Sequence, residues 1–473
     1  MGADEINGTI HLPASEVVVV MVPFVVHGHL NQLLHLSRII SNYNIPVHFV
    51  SIPTHIRQVR SRLHNSGRYS TASNLIHFHA FPTPPFTSPP PNPSNRFPSH
   101  LQPAADSALQ LRQPVTNLIL SLSSTTRRVV VVHDSLMLYV VQDVKSIPNA
   151  ETYIFNPVSA FDIFWRAWER RSRPFPVDPG MLKRLPSNDG CFSSEFIDFV
   201  KLQYIAQDGS HAGELFDSSR AIEAEYIEYL QREEMNGKKK LWAIGPLNHV
   251  DKSTFTVSKN RHKCLQWLDM QPPTSVVYVS FGTSTTFTDE QIKELAIGLE
   301  RSQQRFIWVV RAADKGDVFS DETKMADLPN GFEKRVEGRG LVVREWAPQM
   351  EILEHNATGG FMTHCGWNSC TESISSGVPM ATWPMHSDQP RNAFLITDVL
   401  RIGLVMNDWE HRDELVKSVV VEDVIRRLMD SKEGDVMRKR VAELAGAVGR
   451  SVAEGGECRK EIDSFISHIR RHG

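Results

Sequence analysis

Long apolar runs are missing from this sequence. No stretch approaches the roughly 20 residues that a bilayer-spanning helix requires, so membrane insertion is not expected. Cysteine is scarce: Cys191, Cys264, Cys365, Cys370 and Cys458 are the only five in 473 residues, at no framework spacing. That excludes a disulfide-stapled scaffold and fits free thiols in a reducing compartment. Cys365 and Cys370 flank the segment after His364, but no second Cys/His pair completes four ligands, so no metal site is expected. Charge of one sign is lacking too. With 51 Lys and Arg against 54 Asp and Glu, the formal net charge is −3, and nothing global attracts nucleic acid or an anionic membrane. The segment MGADEINGTIHLPASE has no apolar signal core, so the sequons at Asn7 and Asn356 read as chance matches and the expected location is the cytoplasm. Neither G-x-G-x-x-G nor a Walker A lysine motif occurs, which counts against a Rossmann dehydrogenase and an NTPase.

What is present is alternation. A chain of 473 residues is too long for one core, so two domains are expected. Residues 17–24, VVVVMVPF, form a β-branched apolar run of the kind buried in a parallel sheet. Apolar residues at 30, 33, 34, 36, 39 and 40 then trace one helical stripe, and IPVHFVSI (45–52) returns as a strand, making a βαβ unit. Further strands are predicted at 75–81, 129–134 and 152–156, then at 275–282, 305–311, 340–346, 359–364 and 378–383. The polar stretch at 248–260 reads as the interdomain linker. Two α/β halves of similar size leave a cleft where the carboxyl ends of their strands face each other, the place where open α/β sheets bind ligands. The Pro-rich segment 82–98, PTPPFTSPPPNPSNRFP, cannot be regular structure; it is a surface loop or the rim of that cleft.

The string HCGWNS (364–369) falls where the strand FMTH hands over to the helical NSCTESISS, which Gly377 terminates. Asn368 and Ser369 would then stand at a helix N-terminus, where exposed N–H groups and the positive dipole end hold anions. Gly366 lets backbone approach a ligand, and His364 adds a donor. Either the two side chains merely cap the helix, or the string is a phosphate cradle without net charge.

The surrounding segment 346–389, WAPQMEILEHNATGGFMTHCGWNSCTESISSGVPMATWPMHSDQ, favours the cradle. It closely resembles the signature box of plant family 1 UDP-dependent glycosyltransferases. GHLNQLLHLSRIISNYNIPVHFVSIPTHIRQ, HDSLM and TWPMHSDQPRNAFLITDVL extend the resemblance over essentially the whole chain, and look most like the zeatin O-glycosyltransferase group. The resemblance implies a GT-B fold. Two facing Rossmann-like domains would hold the acceptor (1–250) and the UDP-sugar (261–455), and a C-terminal helix (456–473) would return to pack on the first. It also implies inverting transfer of a sugar to a hydroxyl of a small, largely apolar acceptor, such as a cytokinin, a flavonoid or other phenol, or a terpenoid. The UDP-sugar is a co-substrate, and no other cofactor is implied. On matching positions, Trp346 stacks the uracil, Ala347 reads it through its backbone, and Gln349 and Glu372 bond the ribose. Thr283, His364, Asn368 and Ser369 hold the diphosphate, and Trp367, Asp388 and Gln389 reach the sugar. A Gln at position 389 accompanies glucose donors in this family; UDP-xylose is the alternative, and an inactive nucleotide-sugar binder is another. A monomer is expected.

The resemblance also assigns the base. His29 matches the family's catalytic His after the first strand, and an imidazole with an unperturbed pKa of about 6.5 suits the task. Asp134, ending the strand VVVVHD, matches the aspartate that orients it. One departure stands beside them: where relatives of the zeatin group commonly carry PAQGH, this chain has VVHGH, so His27 replaces an amide. His27 would touch the acceptor or compete for the proton. Phe24, Met137, Phe155, Phe161, Trp165 and Trp168 are either walls of the acceptor pocket or core.

Overall fold

Five of the six residues in β1 (Val17–Val22) are valine and all six are buried, so both faces of this strand need cover, which a parallel sheet with helices on both sides supplies. The computed structural model describes residues 16–65, 74–206, 209–250, 261–310 and 327–472. Within them β1 is joined by β2 (Val47–Ser51), β3 (Ile76–Ala80), β4 (Arg128–Asp134), β5 (Ala150–Asn156), β6 (Gly213–Phe216) and β7 (Lys240–Ala243). They form a parallel sheet in the order β3-β2-β1-β4-β5-β6-β7. A second parallel sheet contains β8 (Val276–Ser280), β9 (Arg305–Val309), β10 (Gly340–Val343), β11 (Thr358–Thr363), β12 (Met380–Thr382) and β13 (Gly403–Val405), in the order β10-β9-β8-β11-β12-β13.

Both sheets are doubly wound, and each reverses its strand order once: between β1 and β4, and between β8 and β11. Such switch points open a crevice at the carboxyl ends of the strands. The residues just past β1, β4, β8 and β11 are therefore the ones that meet in the cleft. This is the GT-B arrangement expected above.

Three strands were not anticipated: β6, β7 and β13 are only four, four and three residues long. The expected linker falls largely on 251–260, outside the described residues. The last helix, Glu457–Arg470, lays Ile462, Phe465, Ile466 and Ile469 into the core beneath the first sheet. There Tyr153 meets Phe465 edge-on at 5.3 Å, and the Trp242 Nε1–H donates to Ser464 Oγ at 3.2 Å. No helix among the described residues is long and apolar enough to cross a membrane.

Candidate active site

The helix after β1 begins at His27 (His27–Ser41), earlier than the apolar stripe suggested, so both histidines lie in its first turn. His29 is the one turned toward β4. Its Nδ1 lies 2.7 Å from Asp134 Oδ2, while Asp134 Oδ1 accepts from the Leu136 N–H at 2.9 Å. Asp134 is fully buried behind the ring, whereas His29 keeps part of its surface on the cleft. Burial alone would lower the His29 pKa. The Asp134 carboxylate, helped by Asp388, outweighs that and holds it above the ordinary 6.5. His27 has a different neighbour, with Nδ1 3.3 Å from Asn31 Nδ2.

Facing this pair is the helix Trp367–Ser376, ended by Gly377 in the left-handed conformation at φ 72°. Its N-cap is Gly366, with no side-chain cap, so neither Asn368 nor Ser369 holds the capping position. The first intrahelical bond runs from the Cys370 N–H to the Gly366 carbonyl. The N–H groups of Trp367, Asn368 and Ser369 thus have no partner within the helix. Asn368 Nδ2–H reaches across to the Gly28 carbonyl at 3.1 Å, so the open N-terminal end of this helix touches the turn that carries His29. A Cβ at Gly28 would lie 3.2 Å from that amide nitrogen.

His364, after β11, stands between two glycines. A Cβ at Gly282 or at Gly366 would fall 2.7 or 2.6 Å from its Nε2, and Gly282 also has φ +76°, a conformation that suits glycine. Burial drops the His364 pKa to about 4, so the ring is neutral and can donate without carrying charge. Thr283 follows Gly282 into the cleft.

Trp346 leaves 62% of its surface exposed beside this helix, an uncovered aromatic face on the cleft wall. Next to it Ala347 is buried, its carbonyl accepting from the Gln349 N–H at 2.9 Å. Gln349 Nε2 lies 3.0 Å from Ser369 Oγ and 2.7 Å from Glu372 Oε2. Burial pushes the Glu372 carboxyl up to about 7, although the Gln349 and Asn248 amides pull it down. Trp367 is buried, and its indole N–H donates to the Asp217 carbonyl of the first domain at 2.7 Å. Asp388 accepts from Asn392 at 2.7 Å, and burial with Asp162 nearby raises it to about 6. Gln389 Oε1 accepts from the Met385 and His386 N–H groups at 2.9 and 3.1 Å. His29 and every expected donor-site residue line one cavity of 1220 Å³, and Asp134 stands directly behind His29.

The six residues left open as acceptor walls or core divide unevenly. Phe24 lines the cavity, edge-on to His29 at 5.5 Å. Met137, Phe155, Phe161, Trp165 and Trp168 are core instead, Phe161 meeting Tyr226 at 4.8 Å. The walls include aromatics that no motif marked: Phe97, Phe192 and Phe196. Phe97 closes the Pro-rich segment, lies 4.9 Å from Phe196 and meets His386 of the second domain edge-on at 5.7 Å. Arg96 beside it bonds Asp413 at 3.1 Å. That segment is therefore a cleft rim at its end, and its prolines were the signal.

Residues 15–249 match the family described as glycosyltransferase, N-terminal domain, and residues 246–423 match UDP-glucoronosyl and UDP-glucosyl transferase. Zeatin O-glucosyltransferase of Phaseolus lunatus is 52% identical over 96% of this chain and 97% of its own. Zeatin O-xylosyltransferase of Phaseolus vulgaris is also 52% identical, over 97% and 99%. Among solved structures, a UGT transferase from Siraitia grosvenorii in complex with UDP aligns with a TM-score of 0.75 at 26% identity, covering 96% of this chain and 100% of its own. Phytolacca americana UGT2 complexed with UDP-2fluoro-glucose and pterostilbene gives 0.73 at 26%, covering 96% and 99%.

Proposed function

This chain belongs to the UDP-glucoronosyl and UDP-glucosyl transferase family and is a UDP-dependent glycosyltransferase, and from that premise we propose that it transfers glucose to the side-chain hydroxyl of a zeatin-like cytokinin. The carrying observation is the His29–Asp134 pair at 2.7 Å, facing the uncapped end of the helix Trp367–Ser376 across one cleft. His29 Nε2, the ring nitrogen not engaged by Asp134, takes the proton as the acceptor oxygen attacks the anomeric carbon from the face opposite UDP. Asp134 fixes the tautomer and stabilises the imidazolium. The bond from the anomeric carbon to the diphosphate breaks. The charge left on UDP falls on the open N–H groups of Trp367, Asn368 and Ser369, with Thr283 and neutral His364 beside them. Inversion converts the α-linked donor into a β-O-glycoside. Trp346 takes the uracil, Ala347 reads its edge, and Gln349 with Glu372 takes the ribose. Trp367, Asp388 and Gln389 border the sugar.

Two relatives at equal identity are named for different sugars, so identity does not choose between glucose and xylose; Gln389 supports glucose. Both are named for zeatin, which supports a cytokinin acceptor over a phenol or terpenoid. Neutralisation by protein donors supports a reaction without a metal ion. Five unpaired, buried thiols fit the reducing cytoplasm, where we place a monomer with its acceptor domain ending near residue 250. The purified protein, given UDP-glucose or UDP-xylose with a panel of cytokinins, phenols and terpenoid alcohols, should form a cytokinin β-glucoside faster than any other product, scored by mass spectrometry. Faster xyloside formation would replace the sugar, and a preferred phenol would replace the acceptor.

A further inference from the structure

The cavity does not end at the catalytic pair. It continues under the helices Ala160–Arg170 and Ser194–Ala206 onto β5 and β6. Strand register gives the scale: Asp134 lies opposite Phe155, Asn156 opposite Phe216, and Glu214 opposite Ile154. Glu214 is thus two strands away from Asp134, on the order of 10 Å at ordinary sheet spacing. The walls between are apolar, formed by Ile154, Phe196, Val200 and Phe216. The far end is not. Asn156, only 5% exposed, donates from Nδ2 to Glu214 Oε2 at 3.1 Å, and Glu214 Oε1 lies 3.4 Å from His211 Nε2. Both Asn156 and Glu214 line the cavity. A carboxylate offers about four accepting positions, and a primary amide has two hydrogens. This pair therefore has bonding capacity left where polar groups are costly to leave unmet.

We propose that the Asn156–Glu214 pair selects the acceptor by bonding the edge of a nitrogen heterocycle. The inference rests on the cytokinin reading given above and assigns residues to it. With the acceptor hydroxyl at His29 Nε2, an unsaturated side chain lies between Ile154 and Phe196, and the purine reaches β6. Glu214 accepts the imidazole-ring N–H of the purine, and the second Asn156 amide hydrogen goes to a neighbouring ring nitrogen. Phenols and terpenoid alcohols have no such edge. Binding them leaves the remaining bonding positions of Asn156 and Glu214 unfilled at the end of the cavity, which is how a polar site rejects an apolar rival.

The test measures KM and kcat at saturating UDP-glucose for a hydroxyalkenyl purine free base, its 9-methyl derivative, and an allylic alcohol without a ring. In the native enzyme, methylation should raise KM roughly 10–100-fold, as expected for losing a hydrogen bond to a charged group, with kcat less affected. In Glu214→Gln the two purines should come close to parity, while KM for UDP-glucose and for the ring-less alcohol is unchanged. If the native enzyme handles free base and 9-methyl purine alike, the inference is overturned without recourse to a variant. If Glu214→Gln still discriminates between them, the inference falls while the cytokinin reading stands. If the native enzyme turns over a phenol but no purine, the cytokinin reading fails first and takes this one with it.

Discussion

His27 and His29 stand two positions apart on one helical turn, and a single carboxylate separates their roles. His29 is the ring bonded to Asp134, which holds it in one tautomer with Nε2 left toward the cleft. We expect His29→Ala to cut turnover roughly 10²–10⁴-fold, the usual worth of a general base, with UDP binding intact. His27→Ala should instead raise the acceptor KM, since its ring lines the cleft with Asn31 as its neighbour rather than Asp134. Steady-state kinetics of both variants would expose the reverse assignment. The pH profile follows from the same bond. A base must be neutral to act, and Asp134 raises the His29 pKa above 6.5 against the effect of burial. Thus kcat/KM should climb with pH through a limb centred above 6.5. Asp134→Asn removes the charge that favours the imidazolium, so the limb should move to lower pH while maximal turnover falls. A limb unmoved by that substitution would detach Asp134 from the base.

At the scale of the element, the role proposed for the helix Trp367–Ser376 turns on the glycine that precedes it. Gly366 has an ordinary φ of −58°, so alanine there meets no backbone strain, only the His364 ring at 2.6 Å. Gly366→Ala should displace that ring. UDP should bind roughly tenfold or more weakly, the value of a hydrogen bond to a charged group, with little change in thermal stability. Calorimetric titration with UDP beside a melting curve separates the two effects. Glu372 lies one turn further along, bonded to Gln349. Glu372→Ala should raise the UDP-sugar KM with kcat largely kept, because the proposed ribose contact would be made equally in ground and transition states. Unchanged donor KM would remove Glu372 from the site.

At the scale of the whole molecule, the last helix closes the first domain from beyond the second. Phe465 is buried against Tyr153 and Trp242, with ring centroids at 5.3 Å from each. Phe465→Ala should cost about 3–5 kcal/mol, and at roughly 2–4 °C per kcal/mol for a domain of this size that lowers Tm by roughly 6–20 °C. Differential scanning calorimetry would resolve it, and the loss should fall on the transition of the first domain. An unshifted Tm would mean that the helix is not part of that domain's core in solution.

The sequence by itself determined ten of the thirteen strands among the described residues, because runs such as VVVVMV carry enough β-branched residues to be legible without partners. It also marked the candidate donor site. The residues of 346–389 are near neighbours in the chain, so their chemistry can be read locally. The three missed strands are short, and length is what a hydrophobic pattern needs to stand out. Tertiary structure alone decided the rest. That His29 meets Asp134, 105 positions away, follows from the β1/β4 switch point, which no local pattern encodes. The acceptor walls depend on which face of each helix turns inward. Trp165 and Trp168 look like a binding surface in the sequence but pack edge-on at 5.5 Å in the core, whereas Phe97, in a proline-rich loop without periodicity, forms the rim. Apolar residues read alike whether they face a ligand or a core, because burial rewards both in the same way; only their neighbours in space tell them apart.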